Sequence, residues 1–531
     1  MGEEMNKQPI LINGKWTHSP EGTKFFSAID PSTGTALNDQ YPISRFSEID
    51  AAVQAAHMAA EEMRELSPDT LAEFLEAYAD NIESRMDSLV SMAAKETALP
   101  EYPRLKSIEL PRTTDQLRQA AFAVRDRTWC HAVLDTSSNI RSKHGPLGGP
   151  IVIFGPNNFP FAFNPAAGGD FAAAISAGNP VIAKAHPGHP GTSRMFAEAA
   201  LESLTKTGLP QAALQMFYDL SPEDGIKLIT HPQVGAVAFT GSRRSGMALK
   251  AAAETVGKPI YLEMSSSNPV FLLPGALGER CAVIAGELFS SCTLASGQFC
   301  TKPGLVIFEH NKAGKAFIEE AVNIFLKSEP GTLLGSKTRN AAEAAVKMMR
   351  RYGAKVIAEG KPPEDPAYSL PNRLLMISGT DFLKNPIPFQ VEAFGPSSLL
   401  VTAESQKQML RITDVLEGSL TGAIYSHSGR DDDEEYERLA PRVRKKVGRL
   451  LNDKMPTGVA VTPAMNHGGP FPAAGHPGFT SVGIPASFLR FTALHCYDSV
   501  RPHRLPSELR DKNPTGKMWR WIDGEWTQRD V

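Results

Sequence analysis

The chain has 531 residues, which at about 150 residues per domain points to two to four domains. A formal net charge of −3 excludes the basic excess of a nucleic-acid or anionic-membrane binder, and 42% hydrophobic residues exclude disorder as the main state. No run of about 18 apolar residues occurs, so no membrane-spanning helix is expected. In chain order, the start Met1-Gly2-Glu3-Glu4-Met5-Asn6 lacks the apolar region of a signal peptide. Asn6 stands where a myristoylation signal has Ser or Thr, so Gly2 is expected to be unacylated. The run Pro9-Ile10-Leu11-Ile12 before Asn13-Gly14 suits a hairpin or an edge strand. Residues 47–127 are helical in pattern. Ser47 opens one helix, Ser67-Pro68-Asp69 caps the next, and Leu71, Phe74, Leu75 and Tyr78 have the spacing of a buried face.

After Pro146-Leu147-Gly148-Gly149-Pro150 the pattern changes. Strands are expected at 151–154, 180–184, 213–218, 234–239 and 260–263, alternating with helices at 169–177, 192–206, 222–230 and 244–256. Such alternation builds βαβ units and a parallel sheet covered on both faces. A second alternating stretch runs from 268 to about 468, with strands at 270–273 and 304–309 and a helix at 314–327. The acidic run 431–435, with Arg442, Arg444, Lys445, Lys446 and Arg449 beyond it, reads as a solvated helix whose charges suit its macrodipole. Trp519, Trp521 and Trp526 crowd the end of the chain, so the tail is expected to dock on the body or on a partner subunit.

The five cysteines are Cys130, Cys281, Cys292, Cys300 and Cys496. Their odd number and the lack of Cys-x-x-Cys spacing exclude a disulfide framework and argue against structural zinc, so a reducing, cytoplasmic compartment is expected. His186 and His189, separated by Pro187-Gly188, cannot share a helical face, and no metal site is expected there.

Four stretches could carry chemistry. Cys300, in Ser296-Gly297-Gln298-Phe299-Cys300-Thr301, is a possible nucleophile that glycine leaves open to close approach. Glu263 ends an apolar strand, where open α/β sheets place functional groups, and can relay a proton or activate water. Asn158, in Phe154-Gly155-Pro156-Asn157-Asn158-Phe159-Pro160, is a possible oxyanion donor. Thr240-Gly241-Ser242 precedes a helix whose N–H groups can bind phosphate, without the Gly-x-Gly-x-x-Gly pattern. Taken singly, each is outweighed by an ordinary structural role: a buried inert cysteine, a strand-end charge, a polar turn, a glycine turn.

In order and context they resemble the aldehyde dehydrogenase superfamily, from roughly Ile10 to Pro502. The matching set is Asn158-Phe159-Pro160, Lys184 closing a strand, Phe239-Thr240-Gly241-Ser242, Leu262-Glu263, Gly297-Gln298-x-Cys300 and Glu392-Ala393-Phe394-Gly395-Pro396. The stretches 184–193, Ser267-Asn268-Pro269 onward and His467-Gly468-Gly469-Pro470-Phe471-Pro472 are similar to 2-oxoglutarate semialdehyde (2,5-dioxopentanoate) dehydrogenases and related NADP-dependent fatty aldehyde dehydrogenases. The resemblance implies an α/β architecture: a doubly wound dinucleotide-binding domain at 1–130 and 149–267, and a second α/β catalytic domain at 268–468. It further implies a small β oligomerisation arm at 131–148 and 485–510, a docked tail at 511–531, and a homodimer or homotetramer.

The implied reaction oxidises an aldehyde to its acid through a thiohemiacetal and a thioester on Cys300, with Asn158 and the Cys300 N–H holding the oxyanion and Glu263 activating water. Glu392 and Phe394 match positions that hold the nicotinamide ribose and ring, and Gly241 and Ser242 match a pyrophosphate contact. Between Asp170 and Glu198 no acid occurs, whereas Lys184, His186 and Arg194 do, so NADP is expected over NAD. Ser265 and Ser266 stand where many relatives have two glycines, and could crowd the nicotinamide. Lys302 is expected to be an exposed lysine beside Pro303. For a carboxylated substrate, Arg112 or Arg118 is expected to grip the far carboxylate, while Phe159, Phe161 and Phe163 suit a long aliphatic aldehyde or core packing. The rival readings are a cofactor-free thiol hydrolase and a dinucleotide-binding scaffold without turnover.

Overall fold

The computed structural model describes residues 6–364 and 368–531. The chain start with Gly2 lies outside the described residues. The first hairpin, Ile10–Ile12 and Lys15–Thr17, turns at Asn13 and Gly14, both at positive φ, and Leu11 pairs antiparallel with Met216 at the edge of a sheet. Among the described residues that sheet has seven strands, in the order Ile260–Glu263, Ala236–Thr240, Ile151–Phe154, Val181–Lys184, Leu214–Phe217, Ile10–Ile12, Lys15–Thr17. The first five run parallel. They are near-continuous apolar runs, as strands covered on both faces must be, and Ile151, Val152, Val181 and Ile182 are fully buried. Chain order proceeds outward from Ile151–Phe154 on one side and then returns to Ala236–Thr240 on the other. That reversal opens a crevice at the carboxyl ends of these two strands.

Pro68–Ser84 buries Leu71, Phe74, Leu75 and Tyr78 as its spacing predicts, and Tyr78 Oη donates to the carbonyls of Ala166 and Phe196. A second seven-stranded sheet runs Lys355–Glu359, Arg373–Ser378, Ser397–Ala403, Leu305–Glu309, Pro269–Leu272, Ser419–Tyr425, Val447–Asn452, parallel except for the first strand. Its two faces feed separate cores. Phe271, Ile307 and Val401 lie in one, and Leu272, Val306 and Leu400 in the other, as period-two alternation requires.

The acidic run 431–435 divides. Asp433, Glu434 and Glu435 open the helix Asp433–Arg444 and Arg442 and Arg444 close it, as the macrodipole favours. Asp432 departs from the solvated reading: it is 4% exposed, and its carboxylate accepts from the N–H groups of Gly275, Ala276 and His427. The helix Pro274–Thr293 has no cap of its own, so its first N–H groups need this distant acceptor.

A five-stranded sheet joins Thr492–Asp498, Ile140–Pro146, Val133–Asp135, Arg520–Ile522 and Glu525–Thr527. Within one chain, Thr492–Asp498 pairs antiparallel with Ile140–Pro146 along its whole length. The tail joins by strand addition. Met518 and Arg520 point inward and are fully buried, while the alternate residue Trp519 and the later Trp526 are about half exposed. No helix among the described residues is long and apolar enough to cross a membrane.

Candidate active site

Cys300 follows a turn that only close backbone packing explains. Ala295, Ser296 and Gly297 all have positive φ, and a Cβ on Gly297 would lie 2.2 Å from the Gly395 carbonyl oxygen. The two glycine-bearing motifs therefore interlock. Gln298 fixes the turn, donating to the Ala295 carbonyl and accepting from the Leu334 N–H. Asn268, itself at φ 46°, donates from Nδ2 to the carbonyls of Cys300 at 2.7 Å and Lys302 at 2.9 Å.

Glu263 arrives on the last residue of its strand, at the crevice, and its Oε2 accepts from Ser481 Oγ at 3.2 Å. His467 lies against both groups. Its Nε2 is 3.5 Å from Cys300 Sγ and 2.8 Å from Glu263 Oε1, and the reactive atoms of all three residues lie within 4.8 Å of one another. Burial raises the Cys300 thiol pKa well above its usual range, and the Glu263 and Glu392 carboxylates add to this while Arg112 opposes it. For Glu263, burial pulls upward, but the nearby imidazole and hydrogen bonds from Cys300 and Ser481 outweigh it and leave the carboxyl low.

Asn158 is buried beside the thiol loop, with Nδ2 donating to the Gln298 carbonyl at 2.9 Å. The second hydrogen of that amide is left for another acceptor. Its own carbonyl accepts from Arg104 Nη2 at 3.0 Å, and Arg104 is ion-paired with Glu109. Glu109 Oε1 in turn accepts from the N–H groups of Phe161 and Ala162.

The aldehyde dehydrogenase family model matches residues 16–470. The chain belongs to the aldehyde dehydrogenase family. It is 38% identical to alpha-ketoglutaric semialdehyde dehydrogenase 2 of Azospirillum brasilense over 521 residues, 95% of this chain and 97% of that protein. It is 34% identical to alpha-ketoglutaric semialdehyde dehydrogenase of Acinetobacter baylyi, covering 91% and 92%. Among solved structures, lactaldehyde dehydrogenase from Escherichia coli superposes with a TM-score of 0.80 at 19% identity, covering 93% of this chain and 99% of that one. The enzyme is thus an aldehyde dehydrogenase, an oxidoreductase that takes aldehyde to acid with a nicotinamide dinucleotide as acceptor.

The remaining expected residues of this aldehyde dehydrogenase fall in several places. Arg112 lies beside the thiol, its guanidinium 5.6 Å from the Phe159 ring and 5.4 Å from the Phe163 ring. Its Nη1 donates to the Val459 carbonyl, whereas Nε and Nη2 are buried without a hydrogen-bond partner in the protein. Arg118, six residues on and so rotated well away on the same helix, pairs with Glu83 and Asp80 at the surface and does not line the pocket. The three phenylalanines divide likewise: Phe159 and Phe163 pack with Phe299 at the site, while Phe161 packs on Phe196 in the core.

Lys302 is not exposed. It is 3% accessible, its Nζ donates to the Ser397 carbonyl, and burial lowers its pKa. The strand at Ser397–Ala403 closes over a side chain that local sequence places beside a proline loop. Ser265 hydrogen-bonds Glu392, whose carboxyl burial pushes up to about 7. Ser266 turns into the protein, its Oγ donating to Asn268 Oδ1 and accepting from the Leu420 N–H. Phe394 is partly exposed, on the loop that Gly395 locks.

At the crevice, Lys184 Nζ lies 2.9 Å from Asp219 Oδ1, an acid supplied from beyond the stretch between Asp170 and Glu198. Burial lowers the His186 pKa well below its usual range, with His189, Lys184 and Lys337 adding to the effect. Arg194 spends its guanidinium on Glu198 and the Trp16 ring. Ser242 caps the helix Arg243–Thr255 by accepting from the Ser245 N–H, and a Cβ on Gly241 would lie 2.8 Å from the Phe239 ring. A helix N-terminus at the sheet's switch point, with cationic side chains and a carboxylate nearby, fits a dinucleotide.

His467, Arg104, Glu109 and Asn268 are absent from the catalytic residues read from sequence. His467 and Asn268 sit inside stretches that resemble the semialdehyde branch, which was their only signal; Arg104 and Glu109 had none.

Proposed function

We propose that this aldehyde dehydrogenase oxidises a semialdehyde that carries a carboxylate at its far end, of the α-ketoglutaric semialdehyde class, and prefers NADP to NAD. The observation that carries the substrate is Arg112. Its unpartnered Nε and Nη2 form the edge of a guanidinium that grips a carboxylate with two parallel hydrogen bonds, and it lies near Cys300. A buried cation with two idle donors is costly unless a ligand completes it. The names of the two semialdehyde dehydrogenase relatives support the same class. Lys184 and Lys337 near the crevice favour a 2′-phosphate, although Asp219 offsets part of that charge.

In this reading Cys300 Sγ bonds to the aldehyde carbon, and the oxygen is held by the Asn158 amide and the Cys300 N–H. The bound nicotinamide supplies the hydride acceptor that turns the thiohemiacetal into a thioester. Glu263 then takes a proton from water as it attacks the thioester, releasing the acid. Gly241 and Ser242 face the pyrophosphate, Lys184, His186 and Arg194 the adenosine side, and Glu392 and Phe394 the nicotinamide ribose and ring. The domain division at 1–130 with 149–267, 268–468, and the arm at 131–148 with 485–510 belongs to the same proposal, supported by the separate cores of the sheets. So does a cytoplasmic homodimer or homotetramer.

The test is the replacement Arg112→Met, assayed with a carboxylated semialdehyde and with an aliphatic aldehyde of equal length. KM for the carboxylated substrate should rise by at least about tenfold, the loss of a charge-assisted pair, while the aliphatic substrate is unaffected or improved. Equal effects on both, or a wild-type preference for long aliphatic aldehydes, would overturn the substrate assignment.

A further inference from the structure

Arg449 is the last of the bases that follow the acidic run 431–435, yet it is not part of a solvated helix. It stands on the strand Val447–Asn452, and its guanidinium is spent on the loop that comes after. Nη2 donates to the carbonyls of Pro456 and Gly458, each at 2.9 Å, and Nη1 lies 3.8 Å from Met465 Sδ. Nε is buried without a hydrogen-bond partner in the protein. Burial lowers the pKa of this arginine, and no carboxylate opposes that effect. Taking a cation out of water without a counter-ion costs free energy that two carbonyl bonds offset only in part. The loop it holds gives the reason.

Residues 456–466 form neither helix nor strand, so side chains must fix them. Thr457 Oγ1 accepts from Ser291 Oγ at 2.6 Å and donates to the Ser291 carbonyl at 3.0 Å. The Gly458 N–H donates to Thr301 Oγ1 at 3.1 Å, one residue past the thiol. The Val459 carbonyl accepts from Arg112 Nη1 at 3.1 Å, and Val459 packs on the cluster of Phe159, Phe163 and Phe299. The two arginines therefore grip consecutive peptide groups, Arg449 the Gly458 carbonyl and Arg112 the Val459 carbonyl. With Nη1 given to Val459, the edge of Arg112 that remains is Nε with Nη2, and both are buried without a partner in the protein. Which edge Arg112 offers thus depends on where the Val459 carbonyl stands.

We propose that Arg449 is a positioning residue for substrate selection: by holding Gly458 it sets the Val459 carbonyl, which fixes the edge of Arg112 that meets the far carboxylate of the aldehyde. This rests on Arg112 being the partner of that carboxylate. Arg449 itself makes no bond to the substrate. The chain turns at Gly458, whose φ is 98°, so the place of Val459 follows from what holds the peptide before it. Lysine at 449 would keep the charge and lose the grip. Its nitrogen ends at the depth of the guanidinium carbon, one bond short of the Nη2 position from which both carbonyls are reached.

The experiment measures kcat/KM for a carboxylated semialdehyde and for an aliphatic aldehyde of equal length, in the full chain at saturating cofactor, and reads the ratio of the two. A change that merely loosens the fold or the thiol loop slows both aldehydes and leaves the ratio alone. In R449K and R449M the ratio should fall by about tenfold, the size of one charge-assisted hydrogen bond, with the loss in KM for the carboxylated substrate. G458A alters no charge but strains the turn at φ 98°, and should move the ratio the same way. Added to R112M, R449K should change it by less than about twofold, because no fork is left to position. If R112M alone keeps the wild-type ratio, the assignment of the carboxylate to Arg112 falls and the role of Arg449 falls with it. If R112M lowers the ratio while R449K and G458A keep it, the substrate reading stands and the positioning role is overturned. A ratio kept in R449K but lost in R449M would overturn it too, since charge alone would then be selecting.

Discussion

The amide of Asn158 faces the thiol loop because a buried ion pair holds its backbone from behind. Arg104 donates to the Asn158 carbonyl, and Glu109 anchors both Arg104 and the N–H groups of Phe161 and Ala162, three and four residues further on. Glu109 is fully buried and Arg104 nearly so. Removing one partner of such a pair strands the other charge, which costs about 3–5 kcal/mol, whereas an exposed pair is worth little. Glu109→Ala should therefore lower the thermal midpoint by several degrees. It should reduce kcat more than it weakens cofactor binding, because the Asn158 amide, proposed as the oxyanion donor, moves while the crevice proposed for the dinucleotide stays. Differential scanning calorimetry and steady-state kinetics on one preparation check this; an unchanged midpoint would show that the pair is dispensable. The residues legible in sequence, Cys300, Glu263 and Asn158, are those beside strand ends and glycine turns. Arg104 and Glu109 carry no such punctuation, and a charge in a helical stretch reads as solvated until the fold buries it.

At the scale of elements, the strands and helices that local pattern named between 151 and 327 begin and end within about two residues of the observed ones, because parallel strands buried on both faces are continuous apolar runs bounded by Gly and Pro. It failed where an element is completed from far away. Lys302 reads as exposed because nothing nearby announces the strand Ser397–Ala403 that covers it. Asp432 reads as one acid among five, yet it caps a helix that begins more than 150 residues earlier. That helix, Pro274–Thr293, leads into the turn that presents Cys300, so the cap connects surface charge to the site. Asp432→Ala should cost about 1–2 kcal/mol, the upper range for losing a cap. Each of Asp433, Glu434 and Glu435, replaced singly, should change stability by less than about 0.5 kcal/mol. Urea denaturation of the four variants discriminates; equal effects would return Asp432 to the solvated group.

At the scale of the molecule, the tail extends a sheet that has its own small core and is built from three distant parts of the chain. Arg520 is fully buried and donates to the carbonyls of Arg510, Asp511 and Arg529, so its cation is satisfied only while the segment that follows residue 509 is folded back on itself. Met518 fills a small core with Cys130, Leu134 and Leu509, separate from those of the two large sheets. Asp511 also pairs with Arg141 on the strand Ile140–Pro146. Deleting residues 511–531 would uncover that core and leave the Val133–Asp135 strand as a bare edge, which invites association with other chains. The truncated protein should accordingly melt at lower temperature, be cut sooner by protease between 131 and 148, and aggregate on standing. Alkylation of Cys300 should proceed at the wild-type rate, because the thiol's hydrogen-bond partners come from the two large sheets and the loops beside them. A truncation that slows alkylation as much as it destabilises the arm would mean the sheets and the tail unfold as one unit, and would refute the separation of their cores.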